Sequence, residues 1–347
     1  MYDVVIIGAG QAGIAAGYYV KQTGLSFVLI DGHKEIGMSW RNRYDSLVLF
    51  TPRKYSALPG LRMNGRPKGF PTKSEMATYL QQYVNQNDLP IKLNTTVSSV
   101  SKRRGIYLIE TNQGIIQAKR VVIASGAFQK PFIPPVVVRA EDKPFQLHSS
   151  TYRSPDQLPE GPVLVVGGGN SGAQIAVELA GEREVTLAVS QPLKFMPIQF
   201  LGRPIFHWLD VIGLLHAGRD TVKGRWFRKR KDPIFGKELK VFIDNKRVDL
   251  KPRVVKVVGD KVLFSDNSER NFETIVWCTG FVPAYDWIQI EGALSSNGSP
   301  LHDRGVSPIA GLYYIGLPWQ HQRGSALVCG VGMDAAYIVS HMNESGS

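Results

Sequence analysis

The sequence predicts an α/β protein of two Rossmann-like, three-layer units, the second inserted into the first. Three observations carry this reading. An apolar run, Val4-Val5-Ile6-Ile7, leads straight into Gly8-Ala9-Gly10-Gln11-Ala12-Gly13. The same grammar returns as Val163-Leu164-Val165-Val166 followed by Gly167-Gly168-Gly169-Asn170-Ser171-Gly172. Each half also holds a further apolar strand that ends in a glycine turn, Val121-Val122-Ile123-Ala124-Ser125-Gly126 and Ile275-Val276-Trp277-Cys278-Thr279-Gly280.

Taken in order, the continuous apolar residues at 4–7 read as a strand buried on both faces, as parallel sheets require. Residues 14–23 read as a helix with Gly24 as its C-terminal cap, and 27–30 as a second buried strand ending at Asp31. The Pro- and Gly-rich stretch 51–73 predicts a loop over the first glycine turn, and 74–86 a helix with Ser74 as N-cap. Segments around Val97, Tyr107-Leu108-Ile109 and Ile115-Ile116 predict a small meander. Pro131, Pro134 and Pro135 mark a crossover into the second unit. That unit continues with a helix over 173–180, a strand over 185–189, and further strands of its sheet at 254–258 and 262–264. A strand at Tyr313-Tyr314-Ile315-Gly316 and a helix over about 325–342 then return to the first unit. The expected domains are therefore 1–155 with 275–347, and an inserted 156–274.

A glycine motif between strand and helix binds a dinucleotide for stated reasons. The first glycine makes the turn, the second admits pyrophosphate close to the backbone, and the third lets helix pack on strand. The anion sits on the positive N-terminus of the helix. Gly8, Gly10 and Gly13, and again Gly167, Gly169 and Gly172, are candidates for these roles. Asp31 follows Gly13 by 18 residues, near the spacing of about 20 for an acid that holds ribose hydroxyls. Its charge repels a 2′-phosphate, so the first site is expected to hold FAD or NAD. The same count past Gly172 lands on Ser190, followed by Gln191, with Lys194 and Arg203 nearby. With neither an acid nor an arginine fork, the second site is expected to take NADPH with modest preference, or NADH nearly as well.

Composition narrows the class. The chain has 347 residues, 43% hydrophobic and 20% charged, enough for two cores, and its 35 glycines suit several tight turns. A net charge of +12 favours phosphate-bearing ligands. One dense basic run, Arg225-Trp226-Phe227-Arg228-Lys229-Arg230-Lys231, reads first as a solvated face near the cofactor entrance and second as a membrane-surface or nucleic-acid patch. His207-Trp208-Leu209 with Phe200, Phe206 and Ile212 reads as core or lid packing, with substrate channel or membrane contact behind it. Cys278 and Cys329 are the only cysteines, far apart and without metal-ligand spacing, so no metal is expected and a reducing compartment is. No apolar run approaches the roughly 18 residues of a span, and no leader pattern precedes the first strand; a cytoplasmic location is expected.

These residues resemble the flavin-containing (class B) monooxygenase family, closest to small bacterial oxidoreductases associated with cation-efflux operons. Besides the two glycine turns, the resemblance rests on Gly37-Met38-Ser39-Trp40, Ala124-Ser125-Gly126, His148-Ser149-Ser150-Thr151-Tyr152-Arg153, Cys278-Thr279-Gly280-Phe281 and Gly316-Leu317-Pro318-Trp319-Gln320-His321. It implies an FAD-binding first domain and an inserted NAD(P)H-binding domain. It also implies hydride transfer to flavin, then reaction with oxygen through a C4a-(hydro)peroxyflavin that oxygenates small sulfides or amines. By that resemblance Gln11, Trp40, Val97, Ala124, Gly126, Gly280 and Gly316 join the cofactor-binding set. Asn170 and Ser171 fall beside the nicotinamide, and Ser325 and Ala326 offer N–H groups to the flavin edge. Phe50, Thr51, Asn170 and Gln320 are the candidate catalytic positions.

The chain departs from the family at three places. Its fingerprint keeps His148 and Tyr152 but has Asp142 and Pro144 elsewhere. Leu49-Phe50-Thr51-Pro52 holds no asparagine where many members have one, and Met38 stands for a glycine. His148 reads first as a structural histidine of the linker. Competing functions are an uncoupled NAD(P)H oxidase or reductase and a non-enzymatic redox sensor partnering a cation transporter. Expected partners are a small substrate and oxygen, without nucleic acid, and with a homodimer left open. A disulfide reductase needs a redox-active cysteine pair, which is missing.

Overall fold

The computed structural model describes residues 1–139, 144–230 and 232–344. Asp142 and Lys231, named above, lie outside them. Two parallel sheets organise the rest.

In the first sheet Tyr2–Ile7 is central, paired in parallel with Phe27–Ile30 (Ile7 opposite Ile30) and with Gly114–Ile123 (Ile7 opposite Ile123). Ile91–Lys92 extends one edge and the antiparallel strands Val97–Arg103 and Ile106–Thr111 the other. Leu312–Tyr314 adds in parallel to residues 121–123, so the end of the chain does complete the first sheet. Val4, Val5 and Ile6 are wholly buried, because the sheet is covered on both sides.

The second sheet is all parallel, in the order Val248–Lys251, Val185–Ala188, Val163–Val166, Thr274–Trp277 and Phe145–His148. The expected boundaries at 155/156 and 274/275 cut through it. Phe145–His148 and Thr274–Trp277 are two of its five strands, so the chain enters this unit before Phe145 and leaves it after Trp277. Val254–Val258 and Lys261–Phe264, expected in the same sheet, instead form a separate antiparallel meander with Glu269–Asn271, joined by Val137–Arg139. Phe264 and Val257 pack that meander against Trp277 and Ile275.

Helix bounds shift for local reasons. The first helix is Gln11–Lys21, opening at Gly10 and closing at Gln22; Gly24, expected as its cap, lies beyond with φ +76°. Lys73–Gln86 is capped by Thr72, not Ser74. The Thr72 hydroxyl accepts from Glu75 N at 3.2 Å while Glu75 Oε2 accepts from Thr72 N at 2.8 Å, a capping box that Ser74 has no means to make. The C-terminal helix is Val328–Glu344, preceded by a 3₁₀ turn at Arg323–Ala326 and an extended Leu327.

Candidate active site

Both glycine turns are built alike, atom for atom. Gly8 has φ +105°, and a Cβ there would lie 2.6 Å from Ala124 O; Gly167 has φ +123°, with a Cβ 2.3 Å from Cys278 O. A Cβ on Gly13 would strike Gly8 O at 1.8 Å, and one on Gly172 would strike Gly167 O at 1.9 Å. Gly10 and Gly169 are the opposite case. Each sits at a helix N-terminus, extended and with no side-chain cap, and a Cβ would meet nothing within 4 Å. The first and third glycines are thus required by the protein itself. The middle ones border open space where unpaired N–H groups await an anion. Gly126 and Gly280, φ +76° and +82°, follow the neighbouring strands, and a Cβ on either would meet nothing within 4 Å.

The two turns differ at the tip of the next strand. Asp31 Oδ2 accepts from Ala9 N at 2.7 Å, and Oδ1 from His33 N at 2.8 Å, so the carboxylate stiffens the turn while 15% of its side chain stays exposed. Thr95 N donates to Asp31 O, which brings the segment leading to Val97 alongside. In the second unit, strand pairing puts Ala188 at the place of Ile30: Gly167 N donates to Ala188 O as Gly8 N does to Ile30 O. The counterpart of Asp31 is therefore Val189, not Ser190. A Cβ on Gly168 would lie 3.0 Å from Val189 Cγ1, so Val189 packs on Gly168 where Asp31 instead accepts from Ala9 N. The count of 18 overshoots because the second helix has 10 residues against 11. Ser190, Gln191, Lys194 and Arg203 are all exposed beyond this strand end.

On the far side of the first turn, Gln11 joins three segments. Trp40 Nε1 donates to its Oε1 at 3.1 Å, and its Nε2 donates to Ala326 O at 3.4 Å. Gly316, φ +83°, packs on Ala12 so closely that a Cβ would come within 2.8 Å of it. Ser325 does not offer its N–H outward. That group bonds Gln322 O, its hydroxyl accepts from His321 N and Gln322 N, and the helix starts only at Val328.

The four catalytic candidates are otherwise engaged. Gln320 is completely buried; Nε2 donates to Tyr314 O and Arg304 O, and Oε1 accepts from Leu317 N. It fixes the backbone around Gly316 and reaches no open space. Asn170 accepts from Phe235 N at 2.9 Å and donates to Pro233 O at 3.2 Å, clamping that loop beside the second turn. The Thr51 hydroxyl is buried against Ser56 Oγ at 2.8 Å; since Ser56 donates to Thr51 O, Thr51 spends its proton on Ser56. Phe50 stacks on Phe235, ring centroids 4.5 Å apart, in an apolar cluster with Tyr55, Phe206, Leu209 and Leu215.

His148, expected as a structural histidine of the linker, instead ends the strand Phe145–His148 of the second sheet. Ser150 N donates to Nδ1, so the proton is on Nε2 and is donated to Gly280 O at 3.0 Å. Burial, helped by the charge of Arg43, holds the ring below the usual histidine range against the opposing bond to Gly280. Tyr152 is buried and donates to Glu178. One cross-link between the units was not foreseen. Tyr44 OH donates to Gln174 Oε1 at 2.7 Å, and nothing in either residue's spacing signals the other. Both thiols are pushed up to about 12 by burial, Cys278 only partly relieved by Ser149. Neither cysteine is bonded to another.

Residues 5–196 match the pyridine nucleotide-disulphide oxidoreductase family. The chain is 50% identical over 338 residues to a CzcO-like oxidoreductase of Geobacillus kaustophilus, covering 97% of each. It is 50% identical over 343 residues to the oxidoreductase CzcO of Bacillus subtilis, covering 99% of each. The chain belongs to the CzcO-like oxidoreductases of that family. Its structure also superposes on the flavin-containing monooxygenase from Stenotrophomonas maltophilia with a TM-score of 0.82 at 26% identity, over 100% of this chain and 99% of that one. These likenesses agree with the resemblance to flavin monooxygenases and with the two Rossmann-like units of an oxidoreductase. Among the described residues no helix is long and apolar enough to cross a membrane.

Proposed function

We propose that this oxidoreductase binds FAD at the Gly8–Gly13 turn and NAD(P)H at the Gly167–Gly172 turn, and oxygenates small sulfides or amines. The observation that carries the proposal is the duplicated turn, with an acid at the tip of one neighbouring strand and an apolar residue at the other. The residues fit the two groups. Gly10 and Gly169 leave room that a Cβ would fill, and Asp31 keeps acceptor capacity for ribose hydroxyls while repelling a 2′-phosphate. Val189 neither holds ribose nor repels that phosphate.

Bound flavin would supply hydride acceptance from the nicotinamide and the activation of oxygen. The chain contributes position and exclusion of water. Gln11 holds Trp40 and the 323–326 turn beside the first glycine turn, Asn170 clamps residues 233–235 beside the second, and Phe235 of that loop stacks on Phe50 in an apolar cluster. Disulfide reduction is disfavoured by two buried, unpaired thiols held far from their thiolate forms.

A second reading is favoured by one observation. With Thr51 committed to Ser56 and Phe50 unable to donate, this stretch offers reduced oxygen no hydrogen bond, so an uncoupled NAD(P)H oxidase is the alternative. Steady-state turnover with a small aryl sulfide separates the two. Sulfoxide formed in step with NADPH consumed supports the oxygenase. Hydrogen peroxide equal to the NADPH consumed, with no sulfoxide or N-oxide from a panel of substrates, overturns it for the oxidase.

A further inference from the structure

The segment between the second nucleotide turn and the Asn170-clamped loop carries two helices, Ile205–Val211 and Val222–Arg228, and it has two unlike faces. Its inner face is ordinary core: Phe206 and Leu209 are buried against Phe50 and Tyr55. Its outer face is not. Phe200, Leu201, Val211, Ile212, Val222 and Trp226 are large apolar side chains left between 49% and 76% exposed.

Several of these residues are tied to one another along the two helices. The Phe200 ring meets Trp208 edge-on at 6.2 Å, and Trp208 Nε1 donates to Phe200 O. One turn along the same helix are Val211 and Ile212. Ile212 O accepts from Lys223 Nζ at 2.8 Å, which ties the end of the first helix to the second. One further turn brings Trp226, and the Arg230 guanidinium lies 4.2 Å above its ring.

Basic side chains predominate along this stretch. Arg203, Lys223, Arg225, Arg228, Lys229 and Arg230 are exposed. The acids in this stretch are occupied. Asp210 accepts from Tyr55 OH on the inner side, and Asp220 pairs with Arg219. A solvated basic face accounts for the cations but not for aliphatic side chains standing in water among them. Large exposed apolar patches on a soluble face mark a docking surface. A nucleic-acid groove would use aromatic platforms and cations and has no use for Leu201, Val211, Ile212 and Val222. Aliphatic and tryptophan side chains rimmed by Lys and Arg match the headgroup boundary of an anionic bilayer, where amphipathic surfaces lie flat without spanning.

We propose that the outer face of residues 200–230 docks this protein peripherally on anionic lipid.

The test is sedimentation of the purified full-length protein with vesicles of phosphatidylcholine alone or with one third phosphatidylglycerol. The expected result is binding to the mixed vesicles only, lost in 0.5 M salt. The triple variant Arg228→Glu/Lys229→Glu/Arg230→Glu should lower the partition coefficient by roughly a hundredfold or more, as expected for several basic contacts with an anionic surface. Leu201→Asp with Trp226→Ser should lower it about tenfold through lost apolar insertion. Unchanged melting temperature and bound flavin in both variants establish that they fold. Equal binding to neutral and mixed vesicles, no binding to either, or variants that bind like the parent overturn the proposal. So does a dimer, seen by light scattering, that the same substitutions dissociate, or salt-sensitive binding to duplex DNA tighter than to vesicles.

Discussion

The two glycine turns share a skeleton and differ in what stands at the neighbouring strand tip. At the first, Asp31 both braces the turn through Ala9 and His33 and presents a charge; at the second, Val189 only packs on Gly168. The first turn is also covered by the returning C-terminal segment through Gln11 and Gly316, and the second by the loop that Asn170 holds. On the proposed reading, the backbone geometry offers a pyrophosphate site twice, while side chains at strand tips and covering loops would decide which dinucleotide each receives. Duplicated geometry is inherited from the turn; selectivity is written outside it.

The largest way to test this is to break one skeleton at a time. Gly13→Ala places a methyl 1.8 Å from Gly8 O and should give protein without flavin, or no folded protein. Gly172→Ala, with a methyl 1.9 Å from Gly167 O, should keep flavin, read by absorbance, but lose reduction by NADPH. Gly10→Ala and Gly169→Ala, which meet nothing within 4 Å, should fold normally and weaken only the ligand. Equal folding losses at all four positions would refute the division between structural and ligand-facing glycines.

Next is the charge that distinguishes the turns. Asp31→Ala removes the acceptor for two backbone N–H groups and the ribose partner, and should lower FAD affinity more than about a hundredfold in equilibrium titration of the apoprotein. Full flavin content after dialysis would contradict the assignment.

The C-terminal helix, which serves the first turn alone, carries a burden with no match at the second. Asp334 is wholly buried and neither carboxylate oxygen completes a hydrogen bond among the described residues. Burial raises it to about 6 from 3.8, with Ser325 and Arg304 offsetting only part. The folded state therefore holds the proton more tightly than the unfolded one, and stability falls as pH rises from 3.8 to about 6. Asp334→Asn should stabilise the protein by about 2 kcal/mol at pH 8 in denaturant titration, a gain that shrinks as pH is lowered toward 4. A gain independent of pH would show that charge is not its source.

The smallest expected effect sharpens the comparison most directly. Val189→Asp copies the first strand tip into the second, and should raise KM for NADPH about tenfold while changing that for NADH little. Equal changes for both nucleotides would mean that the 2′-phosphate lies elsewhere.

Much of this was legible in the sequence because glycine roles are local. Gly13 and Gly172 are dictated by the carbonyl of the first glycine of their own motif, while Gly8 and Gly167 answer to Ala124 O and Cys278 O on the neighbouring strands but are marked by the motif spacing. Asp31 follows from one strand and one helix of ordinary length. Val189 was not legible, since a helix one residue shorter moves the counted position from strand tip to exposed loop. Gln320, Asn170 and Thr51 failed differently. Their amides and hydroxyl are right for chemistry, but the sequence does not show which distant backbone groups claim them. The meander at 254–264 has strand-forming residues like those of the parallel sheet; only pairing, which is non-local, separates the two. His148, expected as a structural histidine of the linker, instead ends a strand of the second sheet, where it bonds Gly280 and Ser150; the non-local pairing that makes it a strand end is not visible in the sequence.

The strand Leu312–Tyr314 is the last to join the first sheet, and this orders events at the ribosome. When synthesis passes Trp277, all five strands of the second sheet have been made, whereas the first sheet still has an open edge beside residues 121–123. The apolar side of the Gln11–Lys21 helix likewise waits for the final helix to cover it. The inserted unit can therefore mature on the nascent chain, while the unit that starts the protein stays exposed to chaperones and proteases until the end. A premature stop near residue 300 would release a finished second-sheet unit attached to a first-sheet unit that lacks its Leu312–Tyr314 strand.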